Sequence, residues 1–431
     1  MGWAAAACWV LVAAVLVSGC GPRSARLAAG ATSRTTSTTA ATSSFSPVAT
    51  ADQAPSPTPT DSPAPPPTPT PNATPPPVVI AAWQPQRMPA TAGGSMGLTC
   101  TDSRHCWAVG EDPTGFAPQI LATTDGGNVW TAQTVPDTPA RLQAVFDVSC
   151  LSTHFCVAVA GTYPGETTSV ILRTVDGGST WTQVALPADG QSGLARLECV
   201  GTSVCYALGQ DQNRKANVLD ITADGGTTWT ATSAPDGVCS LAANCFLRGL
   251  SFVDARRGWL VGGGLCPGNG CTGVVEATTD GGATWRSQFT GSGAITDISC
   301  VRDASTVDCH SVGVAPSGSL VSRDGGTSWS QQPTPQYAAS IDCADALHCR
   351  AVGARDQSTP VPSEQFPQVG LLVTTSDGGS SWATESLAPG TSTWLNRVFC
   401  VDPLSCWAVG AQRSGGATLA LVLATTSRSG R

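Results

Sequence analysis

The sequence predicts an all-β protein, a seven-bladed β-propeller of four-stranded antiparallel blades, and three observations predict it. The composition, with 47 glycines, 32 prolines and 12% charged residues, is typical of short strands joined by many turns. One motif recurs at intervals of 44 to 56 residues, which is the period of a propeller blade. The first and last segments of the repeat region complement one another, which indicates a closed ring.

The recurring motif has the form x-Asp-Gly-Gly-x-x-Trp and follows a predicted strand in each unit. An Asp at a tight turn accepts hydrogen bonds from backbone N–H groups, and paired glycines adopt positive φ angles that other residues resist. Because the same Asp recurs in unit after unit, we assign it to the fold rather than to catalysis. These structural aspartates are Asp125, Asp176, Asp224, Asp280, Asp324 and Asp377.

The two ends of the repeat region supply the missing parts of one blade. Residues 421–426 form a predicted strand that leads into a seventh, degenerate Asp motif. Residues 82–84, Ala-Trp-Gln, form the strand that should follow such a motif. Pairing of the first strand with the last blade removes the exposed edges that an open sheet would leave. We therefore predict that the ring is closed by this pairing.

The N-terminus predicts a location outside the cytoplasm. Residues 1–19 contain an apolar run too short for a spanning helix and are predicted to be a lipoprotein signal peptide that ends before Cys20. Lipidation of Cys20 would anchor the protein to the bacterial cell membrane, with no other membrane contact. Residues 20–78 are rich in Thr, Ser and Pro, which predicts a disordered stalk. The propeller then occupies residues 79–431.

Eighteen cysteines, most of them in close local pairs, indicate an oxidising compartment. Six pairs lie at the same place in their units and are predicted to link strands one and two of a blade. Unit four has Phe252 and Gly258 at those positions, and its two other pairs are predicted to link loops. The sequence leaves the connectivity open. The predicted pairs are Cys100/Cys106, Cys150/Cys156, Cys199/Cys205, Cys239/Cys245, Cys266/Cys271, Cys300/Cys309, Cys343/Cys349 and Cys400/Cys406.

The repeats resemble the Asp-box, or BNR, repeat of sialidases and related propellers over essentially all of residues 83–431. The phrase Gly-Trp-Leu-Val-Gly at 258–262, followed by Thr-Asp-Gly-Gly-Ala-Thr-Trp at 279–285, is similar to the photosystem II stability/assembly factor family of seven-bladed propellers. Members of that family are often lipoproteins or lumenal proteins. The resemblance implies an assembly chaperone, and hence a non-catalytic binding or assembly module for another molecule.

A hydrolase is the first alternative to a binding module. Resemblance to sialidases would imply an exo-glycoside hydrolase with an arginine triad and a Tyr nucleophile activated by Glu. Tyr206 stands where other units have Trp, so we interpret it as a packing residue, while Tyr163 and Glu166 lie in a loop. We assign no catalytic residue, although a glycosidase with two carboxylates from distant blades stays open. A structural surface protein is the second alternative.

Charge and histidine placement narrow the range of partners. The net charge is −8, and no basic patch is large enough for nucleic acid. The histidines lie in or beside the cysteine turns of different units, so neither a metal nor a cofactor is expected. A protein or a cell-surface glycan is the expected partner of a monomeric propeller. The histidines are His105, His154, His310 and His348.

The channel-facing side of strand one provides the candidate binding residues. When the units are aligned on the first Cys, the residue two positions before it is always aliphatic, while its neighbours are mostly polar, charged or small. Strand alternation sends these two sets to opposite sides, so the polar set lines the central channel if strand one is innermost. We expect this ring to receive an acidic side chain or terminus of a partner, with a merely water-filled channel as the alternative. The charged members are Asp147, Arg196, Glu198, Asp297, Asp342 and Arg397.

Overall fold

The computed structural model describes residues 83–425, except 138–141, 163–168, 188–192, 212–215, 236–244, 265–271, 304–305, 314–318, 333–337, 356–368, 386, 388–391 and 415–416. The predicted signal peptide, Cys20 and the stalk lie outside the described residues, as do Tyr163 and Glu166. The described part of the chain contains no helix long and apolar enough to cross a membrane.

The described residues form twenty-eight strands in seven four-stranded antiparallel sheets, as the sequence predicts. Blade one contains β2 (Ser95–Cys100), β3 (Cys106–Glu111), β4 (Pro118–Thr123) and β5 (Thr131–Gln133). Blade two contains β6 (Ala144–Cys150), β7 (Cys156–Gly161), β8 (Ser169–Thr174) and β9 (Thr182–Val184). Blade three contains β10 (Gly193–Val200), β11 (Val204–Asp211), β12 (Ala216–Thr222) and β13 (Thr230–Ser233). Blade four contains β14 (Cys245–Phe252), β15 (Gly258–Gly264), β16 (Thr272–Thr278) and β17 (Arg286–Ser292).

The remaining blades complete and close the ring. Blade five contains β18 (Ile295–Arg302), β19 (Val307–Gly313), β20 (Ser319–Ser322) and β21 (Ser330–Gln332). Blade six contains β22 (Ala338–Cys343), β23 (Cys349–Arg355), β24 (Val369–Thr375) and β25 (Ala383–Thr384). Blade seven contains β26 (Ser392–Asp402), β27 (Ser405–Ser414), β28 (Ala417–Thr425) and β1 (Trp83–Pro85). Since β1 pairs with β28, with Trp83 opposite Thr425, the predicted closure is confirmed.

The hydrophobic core lies between the blades. Seven clusters of buried side chains each combine residues of two neighbouring blades, so every interface in the ring has its own apolar filling. The first strands of neighbouring blades contact one another around the ring, which confirms that strand one is innermost. The aliphatic residues at its centre are buried, as expected: Leu98, Val148, Leu197, Leu250, Ile298, Ile341 and Val398.

The Asp motif forms the turn between strands three and four, and blade two illustrates its geometry. The Thr174 hydroxyl donates to Oδ1 of Asp176 at 2.8 Å, and the backbone N–H and hydroxyl of Thr180 donate to Oδ1 and Oδ2 at 2.9 and 2.6 Å. These bonds, foremost that from the Thr180 hydroxyl, lower the pKa of Asp176 to about 2. Gly177 and Gly178 have φ angles of 72° and 88°. The carboxylate is thus engaged within its own turn, which fits the structural role assigned to it.

The Asp turns also join neighbouring blades at the perimeter. In four interfaces a long side chain of one blade donates a hydrogen bond to the carbonyl of the first Gly in the next blade's motif. The pairs are Gln133 to Gly177 at 2.8 Å, Arg173 to Gly225 at 2.6 Å, Gln288 to Gly325 at 3.4 Å and Arg323 to Gly378 at 2.8 Å. Each of these four turns therefore binds the blade before it as well as its own strands.

All six predicted disulfides between strands one and two are present. They are Cys100–Cys106, Cys150–Cys156, Cys199–Cys205, Cys300–Cys309, Cys343–Cys349 and Cys400–Cys406, with Cα atoms 4.0 to 4.1 Å apart. Cys245 is also disulfide-bonded. Cys239, Cys266 and Cys271 lie outside the described residues. Six disulfides indicate an oxidising, extracytoplasmic environment.

Blade four replaces the disulfide with an aromatic stack. Phe252 and Gly258 stand opposite each other in the register that cysteines occupy elsewhere. The Phe252 ring lies over the bare face of Gly258 and stacks on Tyr206 with ring centroids 3.5 Å apart. The Tyr206 hydroxyl donates to the carbonyl of Ala255 at 2.9 Å, and Tyr206 is completely buried, so Tyr206 packs as predicted.

Gly258→Ala is expected to lower the free energy of unfolding by about 1–3 kcal/mol, because overpacking carries that cost. A Cβ atom at Gly258 would overlap the Phe252 ring, which the Tyr206 stack holds in place. Urea unfolding measures the change. Gly193→Ala is the matched control, since its Cβ would meet only a carbonyl oxygen at 3.7 Å. Equal stability of the two variants would contradict the stacked geometry.

Candidate binding site in the central channel

The seven first strands place two rings of side chains in the channel. We call the residues three positions before the first Cys, or its Phe252 equivalent, the upper ring: Gly97, Asp147, Arg196, Gly249, Asp297, Ser340 and Arg397. We call the residues one position before it the lower ring: Thr99, Ser149, Glu198, Ser251, Ser299, Asp342 and Phe399. Each first strand also has a β-bulge just before its upper-ring residue, which re-aims the chain at the start of the channel.

Arg397 is the centre of the upper ring. Its Nη2 atom lies 3.2 Å from Oδ2 of Asp147, and its Nη1 atom lies 3.4 Å from Oδ2 of Asp297. Both carboxylates are buried, with side chains 1% and 4% exposed. The two carboxylates and those of Asp342 and Glu198 raise the pKa of Arg397 despite its burial. One guanidinium from blade seven therefore joins blades two and five across the channel.

Both rings also brace each blade against the next one. Asp147 accepts the N–H of Leu197 at 3.1 Å, and Asp297 accepts the N–H of Ile341 at 3.2 Å. The lower ring repeats the pattern one step along the strands. Its acceptor and donor pairs are Ser149 with Cys199, Glu198 with Phe252, Ser251 with Cys300, Ser299 with Cys343 and Asp342 with Cys400, at 2.6 to 3.1 Å. In every pair the earlier blade accepts from the later one.

Partial burial in the channel shifts two carboxyl groups of the lower ring toward their neutral forms. Burial raises the pKa of Glu198 to about 8 and that of Asp342 to about 7. Hydrogen bonds from the backbone of Phe252 and Cys400 and the positive charge of Arg397 oppose this effect without cancelling it. Protonation of Glu198 and Asp342 reduces the negative charge near the ion pairs of Arg397.

The Glu198→Gln variant is expected to lose less stability than the wild type as the pH rises. The pKa of Glu198 is raised on folding, so its contribution is fully present below about pH 4.5 and is lost as the pH rises to about 8. Gln cannot ionise, yet its amide oxygen still accepts the Phe252 N–H. Urea unfolding between pH 5 and 8 should therefore show a smaller decline for this variant. The stability of the exposed Asp137→Asn variant should decline with pH like that of the wild type. An identical decline in Glu198→Gln would contradict the raised pKa of Glu198.

Arg196 differs from Arg397 because its guanidinium lacks a carboxylate partner. Its Nε atom donates to the carbonyl of Arg248 at 3.1 Å, and this is its only hydrogen bond among the described residues. Burial and the charge of Arg397 lower the pKa of Arg196, while Asp297 and Asp147 oppose this from a distance. Arg248 follows in the next blade, with its guanidinium 5.5 Å from the centre of the Phe246 ring. The Nη atoms of this cation have no hydrogen-bond partner among the described residues, and a second arginine lies beside it.

The structure brings all six charged residues predicted from the alignment into one electrostatic cluster, in which they make different interactions. Asp147, Asp297 and Arg397 form the ion-pair hub, and Glu198 and Asp342 accept hydrogen bonds from the next blade. The hydrogen-bonding role of the lower-ring serines was not predicted, although Ser immediately before Cys in several units was a visible signal. Arg248 was not predicted either, because a residue in a β-bulge does not follow the alternation of the strand.

No protein-family model matches the sequence, and no curated protein matches it. Among solved structures, YCF48 bound to a D1 peptide is similar at a TM-score of 0.56 and 16% identity, over 81% of this chain and 100% of that one. YCF48 from Cyanidioschyzon merolae is similar at 0.55 and 16%, over 80% and 98%. A GH74 xyloglucanase from Xanthomonas campestris is similar at 0.52 and 14%, over 78% and 54%. These likenesses confirm the fold that the repeats implied, a seven-bladed propeller like that of the photosystem II assembly factor.

Proposed function

We propose that this protein is a lipid-anchored, extracytoplasmic, non-catalytic binding or assembly module that holds a carboxylate of a protein partner at Arg196. The observation that carries the proposal is that no residue in the described part of the chain accepts from the Nη donors of Arg196. A guanidinium binds a carboxylate through two parallel hydrogen bonds, which gives both affinity and orientation. The anchor at Cys20 and the stalk of residues 20–78 would keep the propeller close to membrane-bound partners.

The charge balance of the channel favours an anionic ligand at this position. Asp147 and Asp297 are held by Arg397, while burial raises the pKa of Glu198 and of Asp342 and so favours their neutral forms. Among the described residues of the channel, Arg196 is a cation without an adjacent carboxylate. A peptide C-terminus or an acidic side chain of a protein supplies that carboxylate.

The YCF48 structure with a D1 peptide supports the proposal through the fold. It shows that a propeller of similar architecture holds a peptide segment of another protein. The xyloglucanase shares the fold as well, which keeps a glycoside hydrolase as the second outcome of the test. Two of the channel carboxylates, those of Asp147 and Asp297, are bound to Arg397.

Arg196→Gln is expected to weaken binding of acid-terminated peptides roughly 10-fold to 100-fold, because a hydrogen bond to a charged group contributes about 1.5–3 kcal/mol. The measurement uses a peptide array in which each sequence carries either a free C-terminal carboxylate or an amide. Wild-type protein should prefer the acid form, and the exposed Arg256→Gln variant should retain that preference.

Three results would overturn the carboxylate site: equal binding of acid and amide peptides, binding unchanged by Arg196→Gln, or no peptide binding. The last result combined with release of sugars from a polysaccharide panel would establish the hydrolase instead. Arg397 is left intact in this experiment because its loss would disturb the channel itself.

A further inference from the structure

Arg248 is a channel cation that the proposed function does not use. It is the extra residue of the β-bulge in β14, between Leu247 and Gly249, which pair with consecutive residues of β15. A bulge re-aims a side chain, and blade four has Gly249 rather than a side chain at its upper-ring position. Arg248 is partly exposed, so a ligand bound at the neighbouring Arg196 can reach its guanidinium.

The Arg248 side chain has donors to spare. Its Nε atom is buried and has no hydrogen-bond partner among the described residues. Its guanidinium lies over the Phe246 ring, 5.5 Å from the ring centre. Such a cation–π contact fixes a guanidinium in place without using its N–H groups as hydrogen-bond donors to an acceptor oxygen. Phe246 therefore positions Arg248 and leaves it able to bind an anion.

Arg196 and Arg248 are like charges placed side by side. The Nε atom of Arg196 donates to the carbonyl oxygen of Arg248 at 3.1 Å, which puts one guanidinium against the backbone of the other arginine. Burial, followed by the positive charge of Arg196, lowers the pKa of Arg248, and no carboxylate opposes this shift. Like charges that are partly removed from water repel one another, so two negative groups bound here would remove an unfavourable interaction.

We propose that Arg196 and Arg248 bind two carboxylates of one residue, so that the protein selects peptides that end in Asp or Glu. This inference rests on the proposed function, which places the terminal carboxylate at Arg196, and it adds a side-chain carboxylate at Arg248. In a C-terminal Asp the two carboxylates are separated by only two carbon atoms, so one residue presents both to neighbouring guanidiniums. Each guanidinium can donate two parallel hydrogen bonds to its carboxylate.

Arg248 is then the residue that determines specificity for the last side chain of the ligand. A peptide that ends in Asn offers one carboxylate and leaves Arg248 facing a neutral amide. A peptide that ends in Lys adds a third positive charge to the pair. Because a site with charged donors discriminates against ligands that leave those donors unpaired, we expect affinity to fall in the order Asp, Asn, Lys.

The test uses four peptides that share one sequence, end in Asp or Asn, and carry either a free carboxylate or an amide at the C-terminus. Wild-type protein should bind the Asp acid at least about 10-fold more tightly than the Asn acid, as expected for hydrogen bonds to a charged group. Arg248→Gln should bind these two peptides with affinities within about 3-fold of each other and keep its preference for acid over amide. Arg248→Lys, which retains the charge without the fork, should keep part of the Asp preference.

The acid-over-amide preference serves as an internal control, because Arg248→Gln can show it only if the channel is folded. The exposed Arg256→Gln variant should behave like the wild type towards all four peptides. Equal binding of the Asp and Asn acids by the wild type would overturn the inference, as would an Asp preference unchanged in Arg248→Gln. Loss of both preferences in Arg248→Gln would also overturn it, since Arg248 would then support the fold of the site rather than read the side chain.

Failure of the proposed function gives a different result. In that case the wild type binds acid and amide peptides equally, or binds none of the four. Failure of this inference alone leaves the acid preference and its dependence on Arg196 intact, and removes only the discrimination between Asp and Asn.

Discussion

Arg397→Met is expected to lower the free energy of unfolding by about 3–5 kcal/mol, the range for removing one partner of a buried ion pair. The reason is that Asp147 and Asp297 would remain buried without their common cation. Met has a similar length and fills the same space, so the loss reports charge rather than volume. Urea unfolding at pH 7 measures it.

Two further variants separate charge from packing at this position. Arg413→Met removes an exposed arginine from the same blade and should change stability by less than about 0.5 kcal/mol. Adding Asp147→Asn and Asp297→Asn to Arg397→Met removes the stranded charges and should recover much of the loss. A wild-type midpoint for Arg397→Met would show that the hub contributes nothing to the fold.

A chain that begins at Arg87 is expected to be less stable by at least about 3–5 kcal/mol than a chain that begins at Trp83, since loss of a buried Trp alone has that effect. The shorter chain lacks β1 and exposes the edge of β28. Trp83 is buried in the interface of blades six and seven, and the Arg350 guanidinium lies 5.6 Å from its ring centre.

Thermal unfolding of the two chains measures closure directly, since they differ only in residues 83–86. We expect the shorter chain to melt at lower temperature and to associate through its open edge, which size-exclusion chromatography detects. Equal melting temperatures and monomeric elution of both chains would mean that β1 does not secure the ring.

The sequence predicts the closed ring of blades far better than it predicts which residues pair in the channel. Blade number, closure and the six hairpin disulfides follow from spacing, because each depends on contacts within a unit or between its ends. The pairing of Arg397 with Asp147 joins residues 250 positions apart, and the pairing with Asp297 spans 100. No repeat period encodes such contacts, since they arise only when seven strands converge. The sequence therefore identified the charged residues as a group and not that three of them hold one another.

The hydrogen bonds between the first strands have a consequence for how the protein unfolds. The two rings join successive blades from blade two to blade seven, and β1 joins the last blade to the start of the propeller. A linear array of repeats frays from its terminal units, where a neighbour is missing on one side. This closed ring has no terminal unit, so no blade can unfold first without breaking the interfaces on both of its sides. It should come apart in a single cooperative event, despite being assembled from near-identical pieces.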